Sequence, residues 1–278
     1  IINTEFFMFK DKPCICVPIT NNANRHQSEV AIVGLHLSFE NGEERYINFT
    51  HPDEIDTDIT LQEIKLHPKS LVFNKKVLVN NDFNDGFDIN SYLHYYATTT
   101  ISPQEFYPKG MEYLAKKFYK IEDLGHVIPL VNQLEWARGI AKYVLRLKPF
   151  DFTSQKCINY CNDFIEVFHA IEKNDIVVDN EIKKQNYMWY TATGRPSNAW
   201  GGFNFSALNK KDGTRDKIRS RFEGGKIVQF DYDAFHIKLL AKILDYEFDY
   251  HPYEQIRDEL GIDMDYDQFK GKVFQNIY

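Results

Sequence analysis

The first half of the chain alternates short apolar runs with polar turns, a pattern that predicts β-strands. The strand candidates are Pro13–Thr20, Val30–Phe39, Glu44–Phe49 and Leu71–Val79. Val30–Phe39 is rich in β-branched residues, which favour strands. Asn41-Gly42 has the composition of a tight hairpin turn, so the second and third candidates are expected to pair.

Helical spacing follows, with apolar residues three and four positions apart. This spacing predicts helices over Gly110–Tyr119, Val131–Leu147 and Ser154–Lys173. In the third helix the inward-facing residues are expected to be Ile158, Phe164, Ile165, Phe168 and Ile171. Because Pro149 interrupts the helical pattern, we expect a domain boundary near Lys148–Phe152.

The last third of the chain changes composition. After a short extended segment, Asp175–Asp179, the stretch Thr191–Gly213 holds four of the fourteen glycines and predicts a long loop, which is often functional. Lys226–Asp231 predicts a strand. Ala234–Leu244 predicts a helix that is apolar on most faces and therefore buried, and Tyr266–Tyr278 predicts another helix. The mixture of elements indicates an α/β fold.

Composition is that of a globular, acidic protein. Hydrophobic residues make up 43% of the 278 positions and the net charge is −7, so any contact with DNA must rely on local basic patches. No apolar run approaches the length of a membrane span. The four cysteines, Cys14, Cys16, Cys157 and Cys161, lack zinc-site spacing, which favours reduced thiols and an intracellular, cytoplasmic protein. The first residue is not Met and the end lies in a helical pattern, so we expect a piece of a longer protein.

Asp231 is the strongest candidate for chemistry because it follows an apolar strand and precedes a helix. Side chains at such strand ends face a cleft, and carboxylates there can hold the Mg²⁺ ions used in phosphoryl transfer. By itself the pattern is weak, since an Asp after a strand is more often a turn or cap residue.

Two further segments flank Asp231. Asn209–Arg221 carries six Lys or Arg against two Asp, a net +4 that suits contact with phosphates. A solvated helix face explains this segment equally well. Lys270, Phe274 and Tyr278 recur every four residues and share one helical face, which suits a triphosphate beside a stacked base, although aromatics at this spacing are ordinarily core.

In this order the segments resemble family A DNA polymerases, the bacterial DNA polymerase I type and its phage relatives. TATGRPSN resembles the family's T-x-T-G-R-x-S loop, and FDYDAFHIKLLA resembles motif A, D-Y-S-Q-I-E-L-R. KGKVFQNIY resembles motif B, K-x-x-x-F-x-x-x-Y, on the fingers helix. His251 falls where the family often has an Asp-x-His step. The likeness covers residues 170 to 278.

The resemblance implies roles for individual residues. Asp231 would ligate two catalytic Mg²⁺ ions, helped by the backbone carbonyl of Tyr232. Lys270 would neutralise the incoming dNTP, with Phe274 against its sugar or base and Tyr278 near the template base. The residues expected to contact primer–template DNA are Thr193, Arg195, Asn209 and Arg219.

Two positions depart from the family pattern. His236 stands in place of the Glu that screens out ribonucleotides in the family, so sugar discrimination by this nucleotide-binding residue is in doubt. Tyr266 stands one turn before Lys270, where an Arg would hold the phosphates. One cationic contact is therefore expected to be lost.

In the first half, the run IVGLHLSFENGEERYINFTH resembles the second and third strands of the ribonuclease-H-like 3′–5′ exonuclease domain that precedes the palm in this family. Its metal-binding acids are expected at Val17 and Ile19, at Val77 or Leu78, and near Glu135, which is the only acid among them. Apolar residues cannot bind Mg²⁺, so the resemblance implies a degenerate domain without nuclease activity. A third hypothesis is an active exonuclease, but it requires carboxylates that the first half does not supply at these positions.

These likenesses predict three regions: residues 1–150 as the degenerate exonuclease-like domain, 151–190 as a helical connector with a reduced thumb, and 191–278 as a partial palm with the start of the fingers. The function implied is template-directed DNA synthesis by the parent protein, with this piece catalytically incomplete. A replisome or processivity partner would compensate for the reduced thumb, and a viral source would place the protein in the host cytoplasm. The alternative is a non-catalytic nucleic-acid-binding or replication scaffold protein.

Overall fold

The computed structural model describes residues 8–21, 26–55, 57–97, 99–101, 106, 119–121, 125–150, 155–191, 195–198, 202–209, 212–228 and 230–277. It divides into two compact units, Ile1–Gly225 and Lys226–Tyr278. The region boundaries predicted after residues 150 and 190 come from the resemblance to polymerase domains, and they stay a prediction. No helix in the described ranges is long and apolar enough to cross a membrane.

The first unit contains both strands and helices. Its strands are β1 (Met8–Phe9), β2 (Cys14–Thr20), β3 (Ile32–Phe39), β4 (Glu44–Asn48), β5 (Lys65–Leu66), β6 (Leu71–Val72), β7 (Phe87–Asp88), β8 (Tyr119–Ile121), β9 (Gly125–Val127), β10 (Ile176–Val178), β11 (Glu181–Lys183), β12 (Tyr187–Met188), β13 (Ser197–Asn198) and β14 (Ile218–Ser220). Its helices are α1 (Lys75–Asn80), α2 (Ile89–Ala97), α3 (Leu130–Leu145) and α4 (Gln155–Glu172). This mixture confirms the α/β class.

A five-stranded mixed sheet forms the centre of the first unit, in the order β4-β3-β2-β6-β7. The strand β3 runs antiparallel to both of its neighbours, β2 and β4, whereas β6 is parallel to both β2 and β7. The hairpin between β3 and β4 turns at Gly42, whose φ of 84° lies in the left-handed region that glycine adopts without strain. This confirms the predicted hairpin.

Both faces of this sheet are covered, which explains why β2 and β3 read as nearly continuous apolar runs. Side chains alternate along β2: Ile15, Val17 and Ile19 pack with α2 and α3 on one face, whereas Cys14 and Cys16 pack with α1 on the other. Cys14 and Cys16 are buried free thiols, and burial raises the pKa of Cys14 to about 11. The core therefore consists of two layers, one on each face of the sheet.

The helix α4 packs against α1 and α2 within the same unit. It confirms the helix predicted over Ser154–Lys173, and α3 confirms the one over Val131–Leu147. The inward stripe predicted for α4 is only partly right, because Ile165 and Phe168 are buried whereas Ile171 is 42% exposed. The described side chains do not include Ile158.

After α4 the chain forms a small antiparallel sheet in the order β11-β10-β14. The turn between β10 and β11 contains Asp179 and Asn180, both with positive φ, as a tight hairpin turn requires. The strand β10 confirms the extended segment predicted over Asp175–Asp179.

The strand predicted over Leu71–Val79 is wrong beyond its first residues. The chain leaves the sheet after Val72, turns at Asn74 with a φ of 53°, and continues as α1. Buried Lys75 stabilises this turn, because its ammonium donates to the backbone carbonyls of three consecutive residues, Asn84, Asp85 and Gly86. The helix predicted over Gly110–Tyr119 lies outside the described residues except for Tyr119, which begins β8.

The second unit is helical in its described residues: α5 (Phe235–Ile243), α6 (Pro252–Glu259) and α7 (Tyr266–Ile277). These helices enclose a small core centred on Ile237, Tyr253 and Phe269. The sequence patterns indicate α5 and α7, but α6 is a polar helix with too few apolar residues to show the spacing.

Two predictions about this unit are wrong. The segment Lys226–Asp231 forms no strand at its described positions, because no described strand pairs with its backbone, and Phe230 is 91% exposed. The helix α5 is not buried on most faces. Only Ile237 and Ala241 are buried, whereas Leu239 and Ile243 are exposed.

Candidate functional site

The segment before α5 presents Asp231 and Tyr232 to solvent. Tyr232 is 82% exposed, and its ring lies 5.4 Å from that of Phe235. The described residues give the Asp231 carboxylate no hydrogen bond or ion pair. Asp231 is thus accessible to a ligand, but it does not stand at the end of a buried strand as the sequence predicts.

Ala234 turns the chain into α5. Its φ of 49° and ψ of 35° lie in the left-handed region, which is unfavourable for a residue with a β-carbon and recurs at functional sites. The carbonyl of Ala234 then accepts the first helical hydrogen bond, from the amide of Lys238 at 3.0 Å. The carboxylate before this turn, Asp233, lies beside side chains from α5 and from the start of α6.

Asp233 binds two partners at once, the imidazole of His251 and the ammonium of Lys238. Its Oδ1 lies 3.0 Å from Nε2 of His251, and its Oδ2 accepts a hydrogen bond from Nζ of Lys238 at 3.1 Å. The hydrogen bond from His251, followed by that from Lys238, lowers the pKa of Asp233 below its ordinary value. The pairs are exposed, so solvent screens them and they contribute little to stability.

Lys270 lies against two tyrosine rings. Its Nζ is 5.6 Å from the ring centroid of buried Tyr253 and 5.9 Å from that of Tyr266, distances typical of cation–π contacts. Phe274, one turn further along α7, has its ring 6.2 Å from that of Tyr253. The structure therefore brings together Lys270 and Phe274, two of the residues predicted to bind a nucleotide.

His251 joins the same group of side chains. Its ring lies 5.6 Å from that of Tyr266 and 6.0 Å from that of Tyr253. The family resemblance points to His251, but no sequence pattern singles out Asp233 or Tyr253. A usable signal is the run Asp-Tyr-His-Pro-Tyr ending at Tyr253, where a Pro at the first position of a helix orders the residues on either side of it.

His236 is half-buried on α5, with its ring 5.5 Å from the ring of Phe235. Of the other predicted residues, Thr193 and Tyr278 lie outside the described residues. Arg195 and Asn209 are exposed in the first unit, and the carbonyl of Arg195 accepts a hydrogen bond of 2.8 Å from the hydroxyl of Thr191.

The described basic residues of Asn209–Arg221 fall into two groups. Lys217 and Arg221 form ion pairs, with Asp179 at 3.1 Å and with Asp175 at 3.6 Å. Arg215 and Arg219 instead donate to backbone carbonyls, those of Leu208 for the first and of Asp216 and Ile218 for the second. A carbonyl does not neutralise a guanidinium, so Arg215 and Arg219 keep a full positive charge at the surface.

The donors near Asp231 are few for a metal site. Mg²⁺ prefers six oxygen ligands in near-octahedral geometry. Asp231 and the Tyr232 carbonyl supply two, and the next acid along the chain, Asp233, is engaged by Lys238 and His251. No group of three or more His, Cys, Asp or Glu side chains able to hold a metal occurs in the described part of the chain. These residues by themselves do not fit a two-ion Mg²⁺ site.

In the first unit, apolar core side chains stand where exonuclease acids are expected. Val17 and Ile19 are fully buried in one core layer, and Val77 and Leu78 are buried in the other. Glu135 is exposed on α3. None of these five side chains is placed to share a metal ion with the others.

A scan against protein-family models and searches of curated proteins and of solved structures each returned no match. Any functional assignment therefore depends on the residues and their geometry.

Proposed function

We propose that this chain belongs to a DNA-directed DNA polymerase of family A and takes part in template-directed DNA synthesis. The observation that supports this most strongly is the position of Lys270 against Tyr253 and Tyr266, with Phe274 one turn further on. A cation beside aromatic rings suits a nucleotide, because the triphosphate needs positive charge and the base or sugar needs an apolar surface.

In this proposal a primer 3′-hydroxyl attacks the α-phosphate of a dNTP and pyrophosphate leaves. Lys270 neutralises the triphosphate, Phe274 packs against the sugar or base, and Tyr278 lies near the template base. His236 stands where the sugar is selected. The proposed cofactor is a pair of Mg²⁺ ions at Asp231 and the Tyr232 carbonyl, which requires at least one further carboxylate.

The central sheet supports the proposal that the first unit contains a degenerate exonuclease-like domain. Numbered along the chain, its five strands have the order 3-2-1-4-5, with the second strand antiparallel to the other four. This order and these directions support the proposed ribonuclease-H-like fold. The buried apolar residues at the expected acid positions support a scaffold role without 3′–5′ exonuclease activity.

DNA contact is proposed for the exposed basic surface around Arg219, together with Arg195, Asn209 and Thr193. The charge that Arg215 and Arg219 retain supports contact with phosphates. We further propose an intracellular, cytoplasmic protein, in the host if the source is viral, that works with a replisome or processivity partner.

A second candidate, a non-catalytic nucleic-acid-binding or replication scaffold protein, is favoured by one observation. No group of three or more His, Cys, Asp or Glu side chains able to hold a metal ion includes Asp231 among the described residues, and the carboxylate of Asp233 is held by Lys238 and His251. A protein of this kind would bind DNA but not dNTPs.

Equilibrium binding to the 278-residue chain tests the proposal. Fluorescent primer–template DNA and a fluorescent dNTP with Mg²⁺ serve as probes, and Lys270→Ala is compared with Lys272→Ala, an exposed lysine two positions further on the same helix. Loss of one charge-assisted contact should weaken dNTP binding about tenfold in Lys270→Ala, with little change in Lys272→Ala. Circular dichroism confirms that both variants fold.

The outcomes separate the two candidates. DNA binding without dNTP binding would favour the scaffold protein, and binding of neither would overturn both. In the parent polymerase, Asp231→Ala should abolish primer extension while DNA binding is largely retained, whereas unchanged extension would remove Asp231 from the site.

A further inference from the structure

The helix α4 carries apolar side chains on two sides. Ile165 and Phe168 are buried against the rest of the first unit, as one side of an amphipathic helix requires. Tyr160, Val167 and Ile171, in contrast, are 62%, 54% and 42% exposed. Single exposed apolar side chains are normal on a soluble protein, but several along one helix indicate an interaction surface.

Phe164, which is half-buried, completes this second set of side chains. Tyr160, Phe164, Val167 and Ile171 follow one another at spacings of four, three and four residues, so they line one side of α4. We call these four side chains the outer stripe. Alternating spacings of three and four are those with which one helix packs its side chains between those of another. The outer stripe therefore fits an α-helix lying along α4.

Aromatic contacts fix the first half of the outer stripe. The ring of Phe164 lies 4.9 Å from that of Tyr160, edge to face, and stacks at 5.3 Å on the ring of Trp189, which is only 8% exposed. Side chains that are already held in place lose little conformational entropy when a partner binds. The outer stripe is thus preorganised for binding.

The charges of α4 favour one class of occupant. Asp163 and Glu166 are the exposed Asp, Glu, Lys or Arg side chains of α4 within the described residues. Helices that lie on membranes carry Lys and Arg on their polar side, and nucleic acids attract cations, so these two acids oppose both occupants. An antiparallel second α4 helix would bring like charges together, which is also unfavourable. A helix with basic side chains is favoured instead.

We propose that the outer stripe is a docking surface for an amphipathic helix of another protein, with Lys or Arg beside its apolar residues. The apolar residues of that helix pack between the side chains of the outer stripe, and its cations face Asp163 and Glu166. Such charges determine the choice of partner more than the affinity. This surface goes beyond the proposed function, since it serves a polymerase and a scaffold protein alike.

Fluorescence anisotropy at low salt with two labelled peptides tests the proposal. Both peptides have about four heptads with Leu at the a and d positions, and they differ only in having Lys or Glu at the flanking e and g positions. We expect the Lys peptide to bind the 278-residue chain about tenfold more tightly than the Glu peptide. Equal binding of the two peptides, or no binding of the Lys peptide, would overturn the proposal.

The apolar contact is tested at the middle of the outer stripe. Val167→Ser should weaken binding of the Lys peptide about fivefold to tenfold, because it removes a buried contact from the interface. The matched control is Val131→Ser, at a valine on α3 that is 69% exposed, and it should leave the affinity unchanged. Circular dichroism confirms that both variants fold. Equal losses in the two variants would contradict docking on the outer stripe.

The charge requirement is tested by reversal. Asp163→Lys combined with Glu166→Lys should exchange the preference, so that the Glu peptide binds more tightly than the Lys peptide. The control, Glu40→Lys combined with Asp58→Lys, reverses two exposed acids elsewhere in the first unit and should keep the preference for the Lys peptide. An exchange of preference in the control as well would show that net charge alone explains the binding.

Other occupants give different results. Self-association of the chain in sedimentation velocity that Val167→Ser removes would assign the outer stripe to a second copy. Binding to phosphatidylcholine–phosphatidylglycerol vesicles that Val167→Ser removes would assign it to a lipid surface. Either result would overturn the proposal. These measurements use no DNA, dNTP or Mg²⁺, so their failure would leave the proposed polymerase function untouched.

Discussion

The ammonium of Lys76 and the carboxylate of Glu172 meet at 2.5 Å in the interior of the first unit, although 96 positions of sequence separate them. The side chains are only 11% and 3% exposed. The same carboxylate oxygen accepts the amide of Tyr187, and Lys76 also donates to the carbonyl of Tyr187. One buried ion pair thus joins α1, α4 and β12.

We predict that Glu172→Gln destabilises the first unit by about 3–5 kcal/mol, because it leaves a buried ammonium without its counter-charge. Urea unfolding followed by tryptophan fluorescence reports this unit, since all three tryptophans lie within residues 1–225. The control is Glu181→Gln, which breaks the exposed pair with Lys183 and should change stability by about 0.5 kcal/mol or less. Equal effects of the two changes would show that the Lys76–Glu172 pair has no special role.

His36 makes the stability of the first unit dependent on pH. It is 1% exposed, and neither ring nitrogen has a hydrogen-bond partner among the described residues. Glu44 lies 3.7 Å away and is itself bound by Arg138. Burial lowers the pKa of His36 despite the attraction of Glu44. The unfolded chain therefore binds a proton more readily than the folded one.

The sign of the effect follows from that difference. The free energy of unfolding should be at its full value above the unfolded histidine pKa of about 6.5. It should fall as the pH decreases below that value, because only the unfolded state gains the proton there. Urea midpoints at neutral and mildly acidic pH measure the loss. His36→Leu should reduce it, with the remainder due to groups such as His169, whose pKa burial also lowers. The control is His67→Gln, at a partly exposed histidine, which should leave the pH dependence of the urea midpoint as it is in the wild type. An unchanged pH dependence in His36→Leu would contradict the prediction.

Gly34 allows β4 to approach β3 closely. A β-carbon at this position would lie 2.6 Å from the hydroxyl of Tyr46 and 2.8 Å from the carbonyl of Ile47, and the backbone atom cannot move aside. We expect Gly34→Ala to destabilise the first unit by about 1–3 kcal/mol. Gly139→Ala, in the interior of α3 where the nearest atom would be 3.4 Å away, should instead stabilise it by about 0.5–1 kcal/mol. Changes of the same sign would refute the steric explanation.

Arg219 keeps its charge because its guanidinium contacts only carbonyl oxygens in the described structure. If the basic stretch contacts DNA, Arg219→Ala should weaken binding of primer–template DNA and reduce the slope of log affinity against log salt by about 1. Fluorescence anisotropy across a salt series measures both. Lys65→Ala, an exposed lysine on β5 outside this stretch, should leave the slope unchanged. A slope that is insensitive to Arg219→Ala would remove this residue from the DNA contact.

Local pattern was sufficient for elements that carry their own signal. The Asn41-Gly42 turn between two β-branched runs predicted the hairpin of β3 and β4, and the apolar spacing predicted α3, α4 and α7. Where contacts between distant parts of the chain decide the secondary structure, the local pattern gave a wrong prediction. Val77 and Leu78 are as strand-like as Leu71 and Val72, yet they lie in α1, because the contacts of Lys75 with the carbonyls of residues 84–86 turn the chain out of the sheet.

In the candidate site, too, some features follow from the sequence and others only from the tertiary structure. The sequence alone determined that Lys270 and Phe274 share one face of a helix, because a spacing of four residues is a property of any α-helix. Tertiary structure alone decided that Tyr253 lies beneath Lys270, and that Asp233 rather than Asp231 meets Lys238 and His251. Ion pairs and ring contacts between side chains up to 18 positions apart depend on how three helices pack, and no periodicity along the chain encodes that packing.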